Sequence, residues 1–267
     1  MLKDITLGQY YQTDSVLHRL DPRVKLIGTF VFIIALFIVN TPAGYLLCAV
    51  FLAAMIKLSR VPLRYILGGM KPVLFLLAIT VFFNLLFTPG TPLVSVWRIS
   101  ITREGVSFAV KMAARLCFLI TGTTLMTLTT TPNQLTDALE AVLRPLKALH
   151  VPVHEIAMMM SIALRFIPIL MEETDKIMKA QMARGADFET GNVIRRAKNM
   201  VPILVPLFIS AFRRANDLAM AMEARCYRGG EGRTRMKPLV YGRADYTAYS
   251  VIAAVFACCV LIRAAGI

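Results

Sequence analysis

The sequence has no Gly-x-x-x-x-Gly-Lys-Ser/Thr run, so the chain carries no P-loop of its own. It has no His-Glu-x-x-His pair and no Gly-x-Ser-x-Gly elbow, which excludes the helix-borne zinc site of a metalloprotease and the nucleophile turn of an α/β-hydrolase. No Cys-x-x-Cys occurs among its 5 cysteines. Cys48, Cys117, Cys258 and Cys259 fall inside apolar stretches, where cysteine acts as a small hydrophobe, so no disulfide framework is expected. Acidic residues are few, 16 against 30 lysines and arginines, and none lies inside the long apolar stretches. Proton- and sodium-coupled carriers usually need an ionisable group there, so a stand-alone secondary permease lacks its main marker.

The basic excess, +14 at neutral pH, invites a nucleic-acid reading. Its distribution argues against one, because the cations cluster between apolar stretches and no aromatic residues interleave with them. With 57% hydrophobic residues and a mean hydropathy of +0.63, the composition is that of an all-α integral membrane protein. Five spans are expected, at 24–40, 42–58, 72–88, 106–130 and 246–263. A polar leader precedes the first, with Asp21 as N-cap and Pro22 at the first helical position. No small-residue cleavage site follows the first span, so it reads as retained. Asn40-Thr41-Pro42 is a tight turn, and residues 59–70 read as a short interfacial segment before a span that begins at Pro72. Residues 93–105 alternate apolar and polar around Trp97, Ile99 and Ile101, the period of a small β-hairpin. Lys111 and Arg115, early in the fourth span, are expected to snorkel.

Residues 131–243 hold 17 of the 30 lysines and arginines and read as a cytoplasmic layer of three helices, with the membrane domain (1–130) before it and the final span (244–267) after it. This orientation places the amino terminus in the cytoplasm and the chain in the cell membrane. Thr131-Pro132-Asn133-Gln134 is a capping box that starts the first helix, and Arg144-Pro145 disrupts it. The second runs from Pro152 to about Arg184, roughly 50 Å at 1.5 Å per residue. Gly191-Asn192 separates it from the third, which runs from about Val193 to Arg225. His150 and His154, followed by Glu155, lack metalloprotease spacing and read as polar residues at a helix entrance.

Those last two helices end alike, on Ala183-Arg184-Gly185 and Ala224-Arg225-Cys226. An arginine in a last turn complements the helix dipole, and Gly185 can cap, so helix termination alone is one reading. The other treats the two arginines as handles for partner proteins offering carboxylates, which the planar guanidinium binds through two parallel bonds. Sliding one helix along the sequence until Arg184 falls on Arg225 also sets Glu172 and Glu173 against Arg213 and Arg214, with the charges reversed. Two such helices joined by a short link should run antiparallel or crossed, with their tips at opposite ends. Their methionine-rich first halves, 156–171 and 200–212, read as a greasy surface sunk in the membrane, open to a partner or packed on the chain's own spans.

The twin tips, the Leu-His-Arg-Leu-Asp-Pro-Arg run at 17–23, the paired segments Thr88-Pro89-Gly90 and Thr102-Arg103-Glu104-Gly105, and Ala163-Leu164-Arg165-Phe166-Ile167-Pro168 resemble the transmembrane T component of energy-coupling factor importers. The resemblance covers most of the chain and implies a non-catalytic scaffold without cofactor or metal. Its partners would be two ATP-binding-cassette ATPases, a small membrane protein that captures a vitamin or metal ion, and the lipid bilayer. Ala183, Arg184, Gly185, Ala224, Arg225 and Cys226 would meet the ATPases; Glu172, Glu173, Arg213 and Arg214, singled out by the helix offset and not by the resemblance, are expected on the surface of the coupling helices. The family commonly carries Ala-Arg-Gly at both tips, and Cys226 departs from that pattern.

Overall fold

The computed structural model describes residues 10–89, 91–96, 99–186, 188, 193–230, 236 and 238–265. They form two compact units, one comprising residues 142–238 and the other the remainder.

The larger unit opens with α1 (Val16–Arg19) and α2 (Pro22–Ile38). Asp21 caps α2 by accepting from the Arg23 amide at 2.8 Å, and its carboxylate also receives the Arg23 guanidinium. The turn expected at 40–42 leads into α3 (Pro42–Ser59), with Thr41 as N-cap. Next come α4 (Leu63–Phe87), a hairpin of β1 (Pro92–Val96) and β2 (Ile99–Thr102), α5 (Arg103–Thr129) and α6 (Pro132–Leu143). After the intervening unit, α9 (Arg243–Ala265) returns to this one. By length and composition α3, α4, α5 and α9 can cross a membrane, and α2, with 17 residues, sits at the short end of the usual range.

One sequence expectation fails at α4. Pro72 does not start a span, because the helix runs through it from Leu63. Proline at that point forfeits one backbone bond, to the carbonyl of Gly68. Glycine at 68 and 69 frees the preceding turn from Cβ crowding, and apolar helices tolerate proline better than soluble ones. The interfacial segment expected at 59–70 is therefore largely the first two turns of α4.

Two clusters hold the unit together. Phe32, Leu36 and Val39 of α2 and its end pack with Cys48 and Leu52 of α3 and Cys259 of α9. Leu17, Val61, Ile66, Leu125 and Leu128 form the second. The 17–23 run acts as a clamp between them. Lys25 donates to the carbonyls of His18 and Thr129, Asp245 accepts from the Asp21 amide at 2.8 Å, and Arg23 lies 3.8 Å over the Tyr241 ring.

The β-hairpin is antiparallel, pairing Val94 with Ile101 and Val96 with Ile99, while Trp97 lies outside the described residues. Thr102 closes it by donating to the Thr88 carbonyl and accepting from the Gly105 amide. Glu104 takes both the amide and the hydroxyl of Thr91. A Cβ at position 105 would stand 3.2 Å from the Asn84 carbonyl oxygen, so glycine lets α5 approach α4 here. Arg115 does more than snorkel, because it donates to the Val39 carbonyl and the Asn40 side chain.

The smaller unit contains a 3-10 turn (Arg144–Leu149), which replaces regular helix from Arg144-Pro145 onward, then α7 (Val153–Ala183) and α8 (Val193–Ala224). His150 ends the 3-10 turn with a positive φ of 61°. By length and composition α7 is a fifth helix able to cross a membrane, although its second half carries Glu172, Glu173, Asp175, Lys176 and Lys179. The Gly191-Asn192 break lies outside the described residues.

Candidate functional site

Both long helices close by the same backbone arrangement. At the first tip the Gly185 amide donates to the Met182 carbonyl at 2.9 Å and the Ala186 amide to the Gln181 carbonyl at 3.0 Å. At the second the Cys226 amide donates to Glu223 at 2.8 Å and the Tyr227 amide to Met222 at 3.0 Å. These are the two bonds of a Schellman motif, and every donor and acceptor of one tip maps onto its counterpart in the other by the same shift that carries Arg184 to Arg225. Gly185 sits at φ +88° and Cys226 at φ +56°, both in the left-handed region the motif requires. Although Cys226 departs from the Ala-Arg-Gly pattern, the second helix ends by the same geometry. A side chain in that region carries a steric cost that glycine avoids.

Ala183, Arg184, Gly185, Ala224, Arg225 and Cys226 are all exposed. The terminal carbonyls are met by backbone amides, so neither arginine side chain is used in capping. Among the described residues, neither Arg184 nor Arg225 has a hydrogen bond or ion pair from its guanidinium.

The contacts between α7 and α8 run in antiparallel order. Gln181 donates to the Pro202 carbonyl, Glu173 accepts from Ser210 and Arg214, and a Cβ at Gly230 would collide with the His154 ring. Arg184 therefore lies near the start of α8, and Arg225 near the start of α7. Of the four flank charges, Glu173 and Arg214 meet at 2.6 Å, whereas Glu172 and Arg213 are exposed and form no pair with each other. Equivalent residues of two antiparallel copies can meet only where a local twofold axis passes between them, and the Glu173–Arg214 pair marks that place. Arg184 lies as many positions beyond Glu173 as Arg225 does beyond Arg214. Each tip is thus roughly 16 Å along its helix from the pair.

An apolar stripe follows α8 through Met200, Leu204, Val205, Phe208, Ile209 and Phe212, all at least half exposed. With Leu170 of α7 several of these residues line an open groove whose walls are almost wholly apolar. The sequence reading missed Ser210, Gln181 and the Gly230–His154 contact. Only the glycine doublet after the second tip hinted at close packing.

The model of the cobalt transport protein family CbiQ matches residues 13–236. Curated relatives are named energy-coupling factor transporter transmembrane protein EcfT. The one from Clostridium kluyveri is 56% identical over 260 residues, covering 97% of this chain and 96% of its own. The one from Ruminiclostridium cellulolyticum is 56% identical over 245 residues and 92% of each chain. That of Bacillus subtilis is 48% identical over 246 residues, covering 92% of this chain and 93% of its own.

Proposed function

The chain belongs to the cobalt transport protein family, as a transmembrane component of an energy-coupling factor transporter, and from that premise we propose that it couples ATP-driven motion to import of a vitamin or metal ion. The observation that carries this reading is the pair of matched helix ends. Two exposed guanidiniums without partners are displayed at opposite ends of an antiparallel helix pair, equally far from its local axis. Such an arrangement suits two similar partners, each offering a carboxylate.

The partners are two ATP-binding-cassette ATPases, and hydrolysis is theirs. Arg184 and Arg225 each dock into one of them, with Ala183, Gly185, Ala224 and Cys226 at the rim of the contact. When the ATPases close on ATP, the tips are displaced and α7 and α8 pivot near Glu173 and Arg214. The apolar stripe of α8 passes this motion to a small membrane protein that holds the substrate. In this reading residues 131–243 form the cytoplasmic coupling layer between a membrane domain at 1–130 and a last span at 244–267. The amino terminus lies in the cytoplasm and the chain in the cell membrane.

The test is a mild-detergent pull-down of the tagged full chain from its native membrane, with mass spectrometry of what accompanies it. Two ATPase chains and one small hydrophobic protein are expected. A chain that comes down alone and still moves solute in liposomes would establish a self-sufficient permease instead.

A further inference from the structure

At the end of α2 two arginines converge on one point. Arg115 of α5 donates to the Val39 carbonyl at 3.1 Å and to the Asn40 side-chain oxygen at 3.0 Å, and Arg263 of α9 donates to the Ile38 carbonyl at 3.1 Å. The acceptor carbonyls belong to consecutive residues, so both guanidiniums are anchored at the same helix end. A helix C-terminus supplies the equivalent of roughly half a negative charge, which leaves more than one positive charge unbalanced. Among the described residues no aspartate or glutamate pairs with either arginine. The Nε of Arg115 is buried and has no acceptor.

Both arginines belong to helices long and apolar enough to cross a membrane. Unpaired cations on membrane-crossing helices are costly within the hydrocarbon layer, and reaching the headgroup level is their usual relief. Arg115 is instead turned inward onto α2 and holds its guanidinium 5.6 Å over the Phe37 ring. Below it on α2, Phe37, Ile34 and Phe30 follow at helical spacing and are 58%, 51% and 60% exposed. Arg115 also reaches the Met112 sulfur at 3.9 Å, and the place sets two guanidinium cations at a helix end beside an apolar strip.

We propose that Arg115 and Arg263 together bind the phosphate of an anionic phospholipid, in the leaflet at which α2 ends, with an acyl chain along Phe30, Ile34 and Phe37. Arginine suits phosphate because its planar donors reach two oxygens at once. The bound headgroup supplies the missing counter-charge. It ties the end of α2 to the middle of α5 and the last turn of α9, independently of how the helix tips engage partners.

Native mass spectrometry of the full chain in neutral detergent, titrated with phosphatidylglycerol, phosphatidylcholine or inorganic phosphate, tests this. One phosphatidylglycerol should be retained in preference to phosphatidylcholine, and inorganic phosphate should not displace it. The double variant Arg115→Gln/Arg263→Gln should bind at least about tenfold more weakly, the scale of one lost charge-assisted bond. Lys57→Gln removes the same charge from the far end of α3 and should change nothing. Arg263→Gln alone alters an exposed side chain and gives the reading if the double variant does not fold; a several-fold loss is expected. Equal retention by wild type and the arginine variants, equal binding of the two lipids, or displacement by inorganic phosphate would each overturn the assignment. The last would make the site one for a free anion.

Discussion

Glu173 and Arg214 occupy equivalent places in α7 and α8, and their side chains meet at 2.6 Å. A meeting of equivalents is possible at one level only of an antiparallel pair. It makes the two helices halves of a local twofold arrangement, with opposite charge replacing identity at the axis. Ser210 adds a second donor to Glu173, which fixes the carboxylate rather than leaving it to swing between partners.

The pair is partly exposed, so its direct worth is the small one of a surface ion pair. Glu173→Arg and Arg214→Glu should each lower stability by about that amount or somewhat more, since each sets like charges together. The reciprocal double variant should recover most of the loss, as a double-mutant cycle of thermal unfolding in detergent would read. Strict additivity of the two single effects would mean that the contact carries no energy.

At the tips the expected effects are larger and fall on assembly. A charge-paired arginine at an interface typically carries roughly 2–5 kcal/mol on truncation. Arg184→Glu or Arg225→Glu should therefore release an ATPase in the pull-down and abolish uptake, while membrane insertion and melting stay near wild type. Variants that keep both ATPases and transport normally would return the arginines to a role in the helix dipole alone.

Cys226 gives an independent handle on the second tip. Its left-handed backbone costs about 1 kcal/mol that glycine would not incur. Cys226→Gly should raise stability by about that much and leave ATPase attachment intact, because the two backbone bonds of the motif do not use the side chain. A loss of attachment in this variant would show that the thiol itself is part of the contact.

Much of this was legible because helix starts are written locally. Asp21-Pro22 and Thr131 with Gln134 each act within one turn, and in the structure the Thr131 amide donates to the Gln134 side chain while Gln134 donates back to Thr131. The offset shared by the two tips pointed to Glu173 and Arg214 because duplicated helices preserve spacing. Pro72 misled, since proline is a strong breaker in water but a weak one within an apolar helix next to glycines. Asp245 could not be read at all. Its bond to the Asp21 amide joins residues 224 apart, and no local pattern marks such a partner.

The polar leader carries a pH dependence of its own. The His18 Nε2 lies 3.0 Å from the Tyr11 carbonyl, which can only accept, so that nitrogen bears the proton. Nδ1 then accepts from the Ser15 hydroxyl at 2.7 Å, and the neutral ring is satisfied on both sides. Burial pushes the His18 pKa below its ordinary value, and the nearby positive charge of Lys25 acts in the same direction. The unfolded segment therefore binds more protons than the folded one below about pH 6.5, and the stability this histidine contributes is lost as pH falls through the folded pKa. The Tyr11 amide donates to the Leu128 carbonyl, so its hydrogen exchange reports whether the leader stays docked. Going from about pH 7.5 to about pH 5.5, protection at Tyr11 should drop in the wild type once the intrinsic pH dependence of exchange is removed. His18→Gln keeps a donor and an acceptor on the side chain but cannot titrate, and its protection should stay level. Parallel loss in both proteins would place the pH sensitivity elsewhere in the chain.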